Sequence, residues 1–138
     1  MKAITLWQPW ATLVANGIKR YETRTWRPLH TGPLAIHAAG RHSFHPQYMK
    51  AANMDILMPD LKMANLPFGA VVAVVDLVSC VEMTEQMIEE QSKYEKLVGY
   101  WIVGRWAWKF DNVRPLRTPI TYLGHQGIWN LPDDVVKL

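Results

Sequence analysis

Twelve consecutive residues after Gly69, Ala-Val-Val-Ala-Val-Val-Asp-Leu-Val-Ser-Cys-Val, constrain the fold more than any other stretch of the chain. A run this rich in β-branched residues and this poor in helix formers reads as a strand. Being apolar on both faces, it belongs in the middle of a sheet. The remaining sequence has to supply its neighbours. Residues 2–6, 18–26, 34–38, 100–103, 106–114 and 127–131 each combine β-branched or aromatic residues with flanking turn signals, and read as strands. Asp111-Asn112 reads as a turn. Three helices are expected between them. The first runs from Pro9, at a position where its missing N–H costs nothing, to the Gly17 stop, with Trp10, Leu13 and Val14 as its buried stripe. The second spans roughly 46–57 and starts at Pro46. The third spans 85–98, capped by Thr84 and ended by Gly99. Several strands, few helices and no βαβ alternation predict an α+β or mainly β fold, a small closed or nearly closed β-barrel formed by one domain over residues 1–138.

With 49% hydrophobic and 20% charged residues, the chain has an ordinary globular balance. The single cysteine, Cys80, lies in the apolar run and reads as a small buried hydrophobe. No segment approaches the ~18 apolar residues of a membrane span, and residues 1–8 have no signal-peptide core. A soluble, cytoplasmic protein is expected. The net charge of +3 conceals a marked asymmetry. Residues 1–54 hold seven Lys/Arg against one acid, residues 55–95 two against eight, and residues 96–138 six against three. The basic N-terminal third points to an anionic partner.

That same third carries the chemistry. Trp7, Gln8, Trp10, Lys19, Glu22, Arg24 and Trp26 crowd around one short helix. Planar stacking surfaces, an amide and fixed cations together suit a flat anionic ligand such as a nucleotide. Lys19 is a phosphate ligand, or a general base if burial depresses its pKa. Glu22 can hold it charged, shuttle a proton or accept from a base edge, and Arg24 can grip phosphate with two donors. In an ideal strand Lys19 and Glu22 face opposite ways while Glu22 and Arg24 share a face, so the Gly17 turn has to rotate Lys19 inward for all three to meet. Trp10 reads as core and Trp26 as a stacking surface. Gln8 is either an N-cap-like group or a base-edge reader. His37 sits in an apolar strand, either as a satisfied core histidine or, if its strand end opens into a cleft, as a ligand contact. Asp76, alone in the apolar strand, needs a partner. His42-x-x-His45 lacks further ligands for a metal, and no phosphate-binding glycine loop, nucleophile elbow or CxxC pair is present. Neither metal nor cofactor is expected.

The run Gln8-Pro9-Trp10-Ala11, followed by Gly17-Ile18-Lys19-Arg20-x-Glu22-x-Arg24-x-Trp26 and Gly32-Pro33-Leu34-Ala35-Ile36-His37-Ala38-Ala39, resembles the ASCH domain, named for homology to activating signal cointegrator. The central strand and Gly124-His125-Gln126-Gly127-Ile128-Trp129 agree with it, so the resemblance covers essentially the whole chain. It implies a PUA-like β-barrel of five to six strands with about three flanking helices. It also implies a cleft beside the first helix and the Lys/Glu/Arg strand, and a role in RNA biology. One bacterial branch of the family hydrolyses the acetyl amide of N4-acetylcytidine with a Lys, a Thr three residues later and a distant Glu. Lys19 matches the Lys, but Glu22 stands where that Thr would be, Thr23 and Thr25 are out of register, and the distant acid would fall near Glu82 or Glu85. Other members are credited with RNA cleavage, and eukaryotic relatives are nucleic-acid-binding appendages of transcription coactivators. The Gln-Pro-Trp and Glu-x-Arg-x-Trp motifs here resemble the coactivator type more.

Three functions follow. The first is a binding module for RNA or a nucleotide or nucleoside, its cleft lined by Gln8, Trp10, Lys19, Glu22, Arg24, Trp26 and His37. The second is a metal-independent hydrolase of RNA or of a modified nucleoside, with Lys19 as base or electrostatic stabiliser and Glu22 activating water. The third is a protein-interaction domain, against which the charge asymmetry argues. The binding module is preferred.

Overall fold

The computed structural model describes residues 1–137. It contains six strands in one sheet: β1 (Lys2–Leu6), β2 (Tyr21–Arg24), β3 (Gly32–Ala38), β4 (Ala70–Glu82), β5 (Trp106–Thr121) and β6 (Ile128–Asn130). Their order is β2-β5-β4-β3-β1-β6. The β1–β3 pair is parallel and the other pairs are antiparallel. As its composition requires, β4 lies inside the sheet, and its first six residues are all buried. The sheet curls into a PUA-like half-barrel whose edges, β2 and β6, are not paired with each other among the described residues. Curling is accommodated by bulges in the long β4–β5 ladder. Pro115 and Pro119 fall in or beside its largest irregularity, where the missing N–H groups break no regular ladder.

The core lies on both faces of the sheet. Ile4, Leu6, Leu34, Ile36, Val75 and Leu77 pack with Trp108 and Phe110 beneath Ala11 and Val14 of α1 (Trp10–Ala15). Ala3, Ala35, Val71 and Val74 pack on the other side with Trp129, Leu131 and Val136. Alternation along β1 and β3 sorts residues between the two clusters. In α1 the buried positions are Ala11, Leu13 and Val14, while Trp10 is half-buried.

Several expected elements differ. The 46–57 helix is two pieces, α2 (Gln47–Ala51) and α3 (Met54–Leu57), because Asn53 between them takes a left-handed φ of 56°. The 85–98 helix is also divided, into α4 (Glu85–Glu89) and α5 (Lys93–Val98). Thr84 caps the first as expected, accepting from the Met87 amide, and Ser92 starts the second by accepting from Glu95 N. Five short helices therefore replace about three. Residues 100–103 form a loop tied down by hydrogen bonds, not a strand. Asp111-Asn112 does not end a strand: β5 continues through a bulge in which Asn112 adopts φ 48° and donates to Asp76. Asp76 gains its required partners there, Asn112 and the guanidinium of Arg114.

Candidate functional site

Gly17, at φ +76°, turns the chain out of α1, and the amides of both Ile18 and Lys19 then donate to the Leu13 carbonyl at 3.0 Å. Lys19 thus precedes β2, and strand parity does not govern it. Its side chain turns inward and is only 2% exposed, with Nζ donating to the Val98 carbonyl at the end of α5 at 2.7 Å. Glu22 Oε1 lies 3.8 Å from that ammonium, and Glu22 Oε2 accepts from Arg24 Nε at 2.9 Å. The inward rotation that strand parity demanded is present, and Lys19, Glu22 and Arg24 meet. Burial lowers the Lys19 pKa from its ordinary range, opposed first by Glu22 and then by Glu95.

Glu95, on α5, is an acid that the sequence reading did not single out. It is 4% exposed, one carboxylate oxygen accepts from the Arg20 amide, and the other is buried without a partner. Burial raises its pKa. Its only forewarning in sequence was an acid at the third residue after a capping serine, a pattern that normally marks a solvated first turn. Glu82 and Glu85, where the resemblance placed the distant acid, are both exposed and outside the cleft lining.

Lys19, Glu22 and Arg24 lie on one side of a cleft of about 1300 Å³. Glu22, Arg24, Trp26, Tyr100 and Arg105 line that side. Thr5, His37 and Tyr122–Gly127 line the side built by the ends of β1, β3 and β5. Lys19, Arg24 and Arg105 set three cations against the single carboxylate of Glu22 among the lining residues. Trp26 is 37% exposed and packs edge-on against Trp108, whose indole N–H donates to the Trp26 carbonyl. Tyr100 is exposed. The Arg105 guanidinium lies 4.8 Å from its ring centroid, and Arg105 also donates to the carbonyls of Tyr100 and Thr23. Sequence reading missed Tyr100 because it sits in a segment taken for a strand, and Arg105 because it falls between two such segments.

His37 is buried. Its Nε2 faces the Tyr122 carbonyl at 2.7 Å, which only accepts, so this nitrogen carries the proton. Nδ1 then accepts from the Thr5 hydroxyl at 3.1 Å, and Thr5 in turn accepts from the Trp129 indole. Burial lowers the His37 pKa, which keeps the ring neutral. A β-bulge at Val72, opposite the Ile36–His37 step, aims the ring at this loop. Gly124 packs so closely that an added Cβ would lie 2.5 Å from the ring. His37 therefore holds the 122–127 wall in place. Trp10 lines the cleft and packs on Tyr48. Gln8 is not brought to the cleft lining. Its amide is spent on the Pro67 carbonyl at 2.8 Å and the Thr12 amide at 2.9 Å, the N-cap-like role and not base-edge reading. Among the described residues, no three His, Cys, Asp or Glu side chains gather as a metal site, and no helix is long and apolar enough to cross a membrane.

Residues 4–116 match the sequence profile of the ASCH domain, running from within β1 through the whole Lys19–Arg24 segment and most of β5. The chain belongs to the ASCH domain family. Two curated relatives, activating signal cointegrator 1 of Mus musculus and of Homo sapiens, are each 30% identical over 95 residues. Those matches cover 64% of this chain and 15% of each relative, so this ASCH domain corresponds to a small part of them. Among solved structures, ASCH from Zymomonas mobilis superposes with a TM-score of 0.58 at 16% identity, covering 96% of this chain and 88% of that one. A tyrosine-to-phenylalanine variant of the same protein gives 0.58 at 15% identity, covering 96% and 91%. At that identity the likeness concerns the fold alone.

Proposed function

We propose that this ASCH domain binds RNA by receiving a splayed-out nucleotide in the cleft. The observation that carries the reading is the Lys19–Glu22–Arg24 array at the base of a cleft that is bordered by the exposed aromatic faces of Trp26 and Tyr100. A base stacks on an aromatic face regardless of its identity, contributing ~1–3 kcal/mol. Glu22 accepts from the base edge. Lys19, buried and already bonded to Val98, cannot reach out to phosphate and instead acts as a fixed donor at the floor. Arg24, a third exposed, and Arg105 meet the phosphates. The basic N-terminal third adds a longer-range attraction.

A second reading is hydrolysis of RNA or of an amide on a modified nucleoside. It is favoured by one feature, a buried lysine of depressed pKa beside a carboxylate, which is an arrangement typical of reacting groups. One experiment separates the readings: anisotropy of labelled single-stranded RNA at two salt concentrations, with the strand then run on a denaturing gel. Wild type should bind in a salt-sensitive manner and leave the strand intact. Arg24→Ala should weaken binding and reduce the salt slope by about one phosphate contact. Cleavage lost in Glu22→Gln, or turnover of N4-acetylcytidine by the wild type, would replace the binding reading with the hydrolytic one. Binding unaffected by salt and by Arg24→Ala would reject the phosphate contacts.

A further inference from the structure

The cleft has another aromatic face that the nucleotide reading leaves unused. Trp7, in the connection between β1 and α1, lines the cleft yet is 53% exposed. Its backbone is fixed, because its carbonyl accepts the Ala11 amide at 3.2 Å. One face of the indole is braced by Tyr48, parallel within 10° at a centroid distance of 5.5 Å. Tyr48 is itself wedged by Trp10, Phe44 and His45. Phe44 leans on Phe68, over which the Arg41 guanidinium sits at 4.4 Å. Trp7 is therefore the outer plate of a supported aromatic stack, held flat at the water boundary. An exposed indole of this kind pays little conformational entropy on binding a second planar group.

Its surroundings suit a nucleic-acid backbone. Gly40 and His42 line the same stretch of cleft, and the His42 ring packs so closely on Gly40 that a Cβ there would approach it to 2.8 Å. Arg41 supplies a fixed cation beside the stack, where it lies over Phe68, His42 and His45 add imidazole rings, and no acid occurs between residues 23 and 54. Trp26 and Tyr100, by contrast, border the β2 side of the cleft. At about 1300 Å³ the cleft also exceeds the roughly 300–1000 Å³ of ordinary small-molecule sites.

We propose that Trp7 is a stacking platform for a second base, so that the ligand is a single-stranded chain of at least two nucleotides and not a free nucleoside. This rests on the nucleotide-binding reading of the cleft and adds the length of what it takes: one base at the Lys19–Glu22 floor, its neighbour on Trp7, and the linking phosphate beside the Gly40–Ser43 stretch of the lining.

The test uses the intact domain, with the four ribonucleoside monophosphates and the sixteen dinucleotides as probes, in competition against a labelled single-stranded hexanucleotide. Wild type should prefer the best dinucleotide to either of its component monophosphates by about tenfold, the gain of one stacked base. In Trp7→Ala that ratio should collapse toward one, and in Trp7→Phe a part of it should remain. Circular dichroism of the two variants confirms that the substitution of an exposed residue leaves the fold intact. Equal wild-type affinity for mono- and dinucleotides overturns the proposal while leaving the single-nucleotide cleft standing. A dinucleotide preference that survives Trp7→Ala also overturns it, and marks Trp7 as a contact for something other than a base. Failure of every nucleotide to compete, with no binding of the hexanucleotide itself, rejects the binding reading and this inference together.

Discussion

At the scale of single residues, the cleft depends on a lysine whose charged form is disfavoured by burial and favoured by two carboxylates. Lys19 is buried, and Glu22 and Glu95 both oppose the effect of burial on its pKa. Glu95 is the less obvious of the two, because it stands behind the floor and holds the Arg20 amide. Its raised pKa has a definite sign in the stability curve. The folded state binds more protons than the unfolded state between 4.5 and the raised value, so this contribution declines as pH rises through that interval. Relative to Glu95→Gln, which keeps the shape and the acceptor for Arg20, wild type should gain melting temperature as pH falls from 8 toward 5. A difference between the two proteins that does not change with pH would show that Glu95 does not titrate in that window. Much of this scale was legible in the sequence. Lys19, Glu22 and Arg24 announce themselves by crowding charges into six residues beside tryptophans. Glu95 was not legible, since nothing in an acid on a charged helix distinguishes a buried carboxylate from a solvated one. Nor was the fate of Gln8, whose side chain is consumed by a carbonyl 59 positions away.

The elements show where pattern reading succeeds and where it stops. The β4 run was legible because its burial on both faces leaves a continuous apolar signature. The two divided helices were not, because each break is set by one residue: Asn53 in a left-handed conformation, and Ser92 restarting a helix with its hydroxyl. The second break matters to function. It creates α5 as an independent element that ends at Val98, whose carbonyl accepts from the Lys19 ammonium. The two capping residues should therefore behave differently. Ser92→Ala and Thr84→Ala should each cost about 1 kcal/mol in chemical denaturation. Only Ser92→Ala should also weaken RNA binding in the anisotropy assay, because α4 supplies no residue to the cleft. Equal loss of affinity in both variants would mean that α5 does not position Lys19 independently of its neighbour.

Across the whole molecule, Trp108 connects the layers. It is fully buried in the principal core, pairs with Glu22 across β2 and β5, pairs with Cys80 across β4 and β5, and donates to the Trp26 carbonyl. If the chain is one cooperative domain, Trp108→Ala should cost about 3–5 kcal/mol and shift a single transition seen identically by tryptophan fluorescence and far-ultraviolet circular dichroism. Separated transitions would divide the chain into independently melting parts. The barrel-like architecture was legible from strand number and the absence of βαβ units. Its open side was not, since closure depends on how far the bulged β4–β5 ladder curls. The order of pairing has a further consequence for synthesis. β1 finds its inner partner β3 about thirty residues later, but its outer partner, β6, pairs with Lys2 through Asn130, more than a hundred residues downstream. At ordinary translation rates of ~5–20 residues per second, that delay is on the order of ten seconds. For that interval a nascent chain carries an unprotected strand edge. This is the stage at which a neighbouring nascent copy could capture it, and therefore the stage at which the fold most needs to be shielded.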